Sequence, residues 1–548
     1  MKLKPEHQEF RNPKVFYPDP KSVDLDRVLV NFFLLLRCDG YRPASRARPK
    51  KAAETIDHHV DALIALGGVS GFEQHRDVAK AWLESDVFDL VNRGSPREAV
   101  ASLRPLHLDA HKIRIAKHCR DYNVADALYA MMEGGGPQAL RDLRDYLAVG
   151  RDAGTKKYDG QSRLDLETLT VLKLVEGIDD MLASGEKAAP EPPTCVGQSR
   201  VLCDDVQRLL AYRDVVPRPV MIDYLKTVFG LHVALYTLRL SRQLAGWIEA
   251  RQSHPTCRSC PVNGTKDEPF AECPYQQTFT VDMGGDYRAR TAQVAQENAA
   301  GEYARLASLT KSLFTMNQLL RYAKEEKALG IPADPFEVPA LLAKELPQFD
   351  ADFKAKLKQI RSDNESDDEK LSPEESAILD AGLSPFDTFV ELVTHVRQAH
   401  HVKYLREMLD KLFQKNGDAG ALVQGRSAAN PRRWKLGGRL LEVFVQIAVL
   451  EWTEDQGKKR FYTEPMLVDD FVRWIERRYG FSVASRRGAG ATMDDHHAFR
   501  ENIRGIKDRL REIGFYDDVS DAYNAQMIRP RYHVDERVAA GAKSEVSA

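Results

Sequence analysis

Three of the seven cysteines fall in one short central stretch: Cys257 and Cys260 in Cys257-Arg-Ser-Cys260-Pro, and Cys273 in Cys273-Pro-Tyr, with His254 three positions before the first. A C-x2-C turn lets two thiolates converge on one ion, and a tetrahedral zinc then takes two further nitrogen or sulfur ligands. Cys273 supplies one of these. His254 is the nearest candidate for the other, with Cys195 and Cys203 as alternatives. The cofactor expected is Zn2+, as a Cys/His metal knuckle. An iron–sulfur cluster is the alternative; it normally takes four cysteines, and prolines follow both Cys260 and Cys273. The plain reading is three reduced cysteines without metal. If metal is held, every ligand is protein-supplied, which marks a structural site.

A second chemistry lies near the carboxyl end. At about 100° per residue, Phe499, Ile503, Ile506, Leu510 and Ile513 form one stripe of a helix. Arg500, Arg504, Lys507 and Arg511 form another, and Glu501, Asp508 and Glu512 occupy the third side. A basic stripe on an anchored helix suits DNA phosphates. The plain alternative is pairing of these arginines with Glu501 and Asp508 along the same helix. Further basic residues are candidates for the same surface: Arg432 and Arg433 in the loop from Arg426 to Arg439, and Arg529 and Arg531 in Arg529-Pro-Arg531-Tyr532. A proline-interleaved arm with Arg42, Arg46, Arg48, Lys50 and Lys51 reads first as a solvated loop.

Enzyme signatures are weak. Asp282 and Asp286 flank Gly284-Gly285 and could serve a metal-dependent nuclease, but a turn accounts for them equally. Gly134-Gly-Gly-Pro137 follows a helix rather than a strand, so it reads as a connector and not a phosphate cradle. His58-His59 and His400-His401 are adjacent pairs that diverge on a helix, and His232 lies within an apolar run; each reads as a surface or hydrogen-bonded core residue. No P-loop, zincin or nucleophile-elbow motif is present.

The 548 residues exceed one core, and the 43% hydrophobic and 29% charged shares are those of an ordinary globular protein. A net charge of -2 confines any nucleic-acid surface to a local patch. The amino terminus lacks a signal-peptide pattern, no apolar stretch suits a bilayer, and the odd cysteine count argues against a disulfide framework. A cytoplasmic location without membrane contact is expected.

The elements that must position these residues are mainly helical. The expected organisation is multi-domain: a helical domain over 1–183, a central helical domain with the knuckle over 200–360, a helical connector over 371–425, and a winged-helix-like domain over 426–538. Ser184 to Ser199 and the acidic Asp363 to Lys370 separate them. Ser372-Pro373-Glu374-Glu375 announces a capped helix start. In the last segment, helices are expected from Leu440 to Leu450, after Thr463-Glu464-Pro465 and after Asp494 or Asp495, with a short polar break at Lys458 to Arg460. Three helices followed by a β-like segment rich in arginine is the pattern of a winged helix.

Phe10-Arg-Asn-Pro-Lys-Val-Phe-Tyr-Pro-Asp19, together with the segment Asn502 to Tyr532, resembles an accessory protein of the bacterial methylation-associated antiphage defence systems. Those are multi-gene clusters that combine a DNA methyltransferase with restriction and regulatory components. The resemblance implies phage defence, double-stranded DNA and other subunits of the system as partners, and it carries no catalytic residues. The expectation is a non-enzymatic DNA-binding or scaffold subunit. A metal-dependent nuclease and a protein-docking adaptor that meets DNA only through its partners are the alternatives.

Overall fold

The computed structural model describes residues 3–42, 120–150, 190–326, 332–365, 371–455, 458–484, 492–516 and 526–537, with residue 330 and parts of 57–82, 107–109 and 162–172. The described chain is mainly helical. Its principal helices are α1 (Leu25–Arg37), α2 (Val124–Gly135), α3 (Pro137–Leu147), α4 (Val196–Leu210), α5 (Arg218–Ala250), α6 (Arg290–Glu325), α7 (Pro347–Glu365), α8 (Pro373–Leu379), α9 (Pro385–Leu412), α10 (Gly438–Ala448), α11 (Val468–Tyr479) and α12 (Met493–Glu512).

The centre is set by α5, whose 33 residues are buried nearly all round from Met221 to Trp247. That is why its sequence shows no single apolar stripe. The long helices α6 and α9 pack along α5 and along each other, α4 packs on α2, α3 and α5, and α7 packs on α9. Starts follow local chemistry. Ser372 and Glu375 form a reciprocal capping box at α8, and Thr492 and Asp495 form another at α12. Gly136 and Pro137 separate α2 from α3, as a connector should.

Strands are short. β1 (Phe279–Thr280) pairs in parallel with β7 (Phe481–Ser482), and β2 (Leu422–Val423) pairs antiparallel with β3 (Arg433–Trp434). A bridge from Val281 to Trp434 joins the two pairs. β4 (Leu450–Asp455) and β5 (Lys458–Thr463) form a hairpin. This corrects the polar break expected at Lys458 to Arg460. The hairpin is held by an aromatic cross-strand pair, Trp452 with Phe461, and an opposite-charge pair, Glu454 with Lys459. β6 (Met466–Leu467) pairs antiparallel with β8 (Met527–Ile528), and Tyr516 bridges Ile528 as well.

Buried apolar residues from Phe10 to Ile528 form one continuous cluster. Each of the four expected segments contributes to it, and so do α4 and α10, which pack together across the central and last ones. Among the described residues, no helix is long and apolar enough to cross a membrane. The arm from Arg46 to Lys51, His59, residues 184–189 and 366–370 of the two separators and the tail after residue 537 lie outside the described residues.

Candidate functional site

Cys257 and Cys260 sit on and just after a single helical turn, Pro255–Ser259, that follows α5. Cys260 closes the turn with φ 34°, its N–H donating to Thr256 O at 2.8 Å. Arg200 of α4 fixes this knuckle by donating from Nη1 to Cys260 O at 2.6 Å and to Val262 O at 2.9 Å. Cys273 is held by its N–H donating to Phe270 O at 3.0 Å. These three thiols are half-buried, while Cys195, the N-cap residue of α4, is buried.

The structure brings Cys195 to the three. Burial lifts its thiol to about 12, and Cys260 and Cys273 lie near enough to push it the same way, while Arg239 pulls against them. Cys257 is raised by burial, with Cys273 and Cys260 adding to the effect. Cys203 is elsewhere: its Sγ meets Met132 O at 3.4 Å on α2, and burial raises its pKa strongly. His254 is turned onto Trp247, the rings stacked at 4.9 Å and 12°, with Nε2 3.5 Å from Trp247 O. Burial lowers its pKa. Among the described residues, no group of three or more His, Cys, Asp or Glu side chains could hold a metal ion.

A buried polar chain leads away from the cysteines. Arg239 of α5 meets Cys273 Sγ at 3.9 Å and Gln198 Oε1 at 3.4 Å. Gln198 Nε2 lies 2.8 Å from His232 Nδ1, and His232 Nε2 lies 2.8 Å from Asp205 Oδ2. Asp205 also accepts from Tyr479 OH at 2.8 Å and Arg478 Nε at 2.9 Å; Arg478 reaches Asp204 at 3.0 Å. Arg208 and Lys459 complete the surroundings of Asp204. Burial alone would raise Asp204, but Arg208, Arg478 and Lys459 outweigh it and bring it to about 2. His232 is thus a hydrogen-bonded core residue. The sequence reading passed over Arg239, Asp205 and Arg478. An arginine within the largely apolar run Val228 to Leu240 was the available signal for Arg239.

Asp282 is fully buried and accepts from Arg433 Nε at 3.1 Å, Thr291 Oγ1 at 2.9 Å and Gly284 N at 3.1 Å. Asp286 accepts from Arg288 N at 2.9 Å in a local turn. Arg433 is therefore an interior residue. Arg432 points inward too, with Nη2 donating to Asp410 at 2.7 Å and the guanidinium over the Tyr303 ring at 4.4 Å. Arg42, at the start of the basic arm, pairs with Asp121 at 2.6 Å and with Asp126.

Helix α12 turns Phe499, Ile506 and Leu510 into the core and leaves Arg500, Arg504 and Arg511 exposed, with Lys507 half-buried. Arg504 pairs with Glu501 at 2.6 Å and Arg511 with Asp508 at 2.8 Å, both three residues apart. Lys507 Nζ donates to Gln526 Oε1 at 2.5 Å. Arg529 is exposed; Arg531 donates to Glu442 Oε1 at 2.5 Å and covers the Phe515 ring at 4.3 Å. Asn502, on the inner face, donates to Val281 O at 2.7 Å and Val483 O at 2.8 Å and accepts from Met283 N at 2.6 Å. It ties α12 to the strand ends β1 and β7.

Fold and site together define a mainly helical protein with an exposed cationic helix in its carboxyl-terminal third and a gathering of cysteines beside its central helix. The family model for the methylation-associated defense system protein MAD7 matches residues 5–532, so the chain belongs to that family and is a component of such a defence system. No curated protein and no solved structure matches the chain.

Proposed function

We propose that this chain is a non-enzymatic DNA-binding or scaffold subunit of its defence system, and that α12 is the helix it presents to duplex DNA. The observation that carries the reading is the exposed row Arg500, Arg504 and Arg511, with Lys507 at its edge, on a helix anchored through Phe499, Asn502, Ile506 and Leu510. The surroundings support a winged-helix reading. Helix α10 is followed by the β4–β5 hairpin, β6, α11, β7, α12 and β8, and β8 is bonded to both β6 and Tyr516.

The acids beside the arginines do not argue against phosphate contact. Exposed ion pairs three or four residues apart contribute about 0.3–0.5 kcal/mol, so a phosphate can replace them at small cost. The interface consists of Arg500, Arg504, Lys507 and Arg511, with Arg529 on β8's flank; Arg432 and Arg433, paired inside with Asp410 and Asp282, are not part of it. The test is the full chain with Arg500→Glu, Arg504→Glu, Lys507→Glu and Arg511→Glu together, scored for duplex binding and for co-purification with the other subunits. Loss of DNA with partners retained supports the reading. Retained DNA binding overturns it, and loss of partners alone makes α12 a protein-docking helix.

A further inference from the structure

On α12, Arg504 meets Glu501 and Arg511 meets Asp508. A basic cluster on α9 has no such partners. Lys21, four residues before α1, places its Nζ 3.9 Å from the centre of the Tyr404 ring. Lys403 reaches the same ring at 5.5 Å, and the His400 ring meets it edge-on at 4.8 Å. Arg397 precedes Tyr404 by seven residues, two turns along the same face of α9. Among the described residues, none of these four basic side chains pairs with a carboxylate or hydrogen-bonds to protein. Arg397 is the sharpest case: its Nε is buried without an acceptor. A half-buried guanidinium that the protein gives no acceptor is costly unless an outside anion completes it.

We propose that Lys21, Arg397, His400 and Lys403 form a phosphate-contacting surface that takes the backbone of a nucleic-acid strand. Tyr404 is its centre: the aromatic face holds the Lys21 ammonium in place without neutralising it. Charge balance favours an anion. Asp19 lies near enough to act on His400, and Glu407 follows Lys403 by one helical turn, yet neither pairs with the cluster among the described residues. Burial first, then Lys21 and Arg397, lower the His400 pKa from 6.5, so at neutral pH this ring offers one N–H rather than a charge.

A chain of phosphates fits this surface better than a single one. His400 and Lys403 are exposed, and Lys21 and Arg397 are half-buried. The α9 members and Tyr404 extend over two helical turns, roughly 10 Å at about 1.5 Å per residue. A nucleic-acid strand carries a phosphate about every 3.4 Å along the duplex axis, so this length faces about three of them. A lone phosphate needs donors that converge on it, whereas these are set out along a helix face. Contacts of this kind position a strand and do not read its sequence. The surface shares no residue with α12, so it stands or falls apart from the reading of that helix.

The experiment measures binding of the full chain to a labelled duplex, to a labelled single strand of the same sequence and to inorganic phosphate, each as a function of salt. The variant with Lys21→Gln, Arg397→Gln and Lys403→Gln is compared with wild type. A control with Lys344→Gln, Lys354→Gln and Lys358→Gln removes the same charge from exposed positions outside the cluster. The cluster variant should bind strands about ten- to a hundredfold more weakly, with a salt slope shallower by about 2–3, and the control should keep the wild-type slope. Lys403→Gln alone, at an exposed side chain, should make the slope shallower by about 0.7–0.9, and it decides the matter if the threefold variant unfolds. The duplex and single-strand arms show which form the surface takes, and a loss on either supports it. Unchanged slopes in the cluster variants, an equal change in the control, binding of inorganic phosphate alone, or no strand binding by wild type would overturn the proposal. Each variant is read against wild type, so α12 substitutions that leave binding intact would sink the α12 reading and not this one.

Discussion

Arg478 of α11 and Asp205 of α4 meet at 2.9 Å although 273 residues separate them in sequence, and both side chains are withdrawn from solvent. Burial opposes the charge on Arg478, but Asp205, Tyr479 and Asp204 outweigh it and raise its pKa. The pair joins the carboxyl-terminal third to the central helices. Removing Arg478 leaves the buried Asp205 without its guanidinium, held only by His232 and Tyr479, at a cost of about 3–5 kcal/mol. Arg478→Gln should therefore lower stability by that order in denaturant unfolding. Replacing Arg478 and Asp205 together by apolar residues should cost less than Arg478→Gln alone. Equal losses would show that the pair is not what couples the two regions.

His401 predicts an acid-sensitive contact. It stacks on Phe10 at 3.9 Å between centroids and lies edge-on to Phe314, so α9 grips the amino-terminal segment through an imidazole. Burial, helped by His400, Arg397 and Lys21, lowers its pKa from 6.5 to about 3. A lowered pKa means that the unfolded chain binds the proton more readily. The stabilisation is thus complete above about pH 6.5 and is lost as pH falls toward about 3. Near pH 4 the loss is on the order of 3 kcal/mol. His401→Phe should flatten this limb of the stability profile, measured by thermal unfolding from pH 7 to pH 4. An unchanged profile would refute the assignment to His401.

Gly135 separates packing from propensity. In a helix, alanine is favoured over glycine by about 1 kcal/mol. A Cβ at Gly135 would sit 2.4 Å from the Ser199 backbone where α2 meets α4, and backbone cannot yield as a side chain would. Gly135→Ala should consequently destabilise by about 1–3 kcal/mol. A stabilised variant would mean that the two helices do not approach this closely.

Much of the scaffold was legible in the sequence because local chemistry specified it. Ser372 and Glu375 announced the start of α8, and Phe499 to Leu510 the inner face of α12. The β4–β5 hairpin was not legible, since its strands are short and largely exposed and their charges resemble a loop. Nor was the destination of Arg432 and Arg433. Whether a basic residue faces solvent or a buried carboxylate depends on Asp410 and Asp282, which only the tertiary fold brings near. The cysteine cluster was half legible. Spacing grouped Cys257, Cys260 and Cys273, while the place of Cys195 depended on how α4 docks on α5.

Binding to duplex DNA as a function of salt tests the central claim most directly. For contacts with Z phosphates, the logarithm of the association constant falls against the logarithm of salt with slope about -0.9Z. The wild-type chain should show a clear negative slope. The variant carrying Arg500→Glu, Arg504→Glu, Lys507→Glu and Arg511→Glu should bind more weakly at every salt concentration, with a slope shallower by about 3–4. A variant that keeps the wild-type slope would contradict the assignment of α12 to the DNA face.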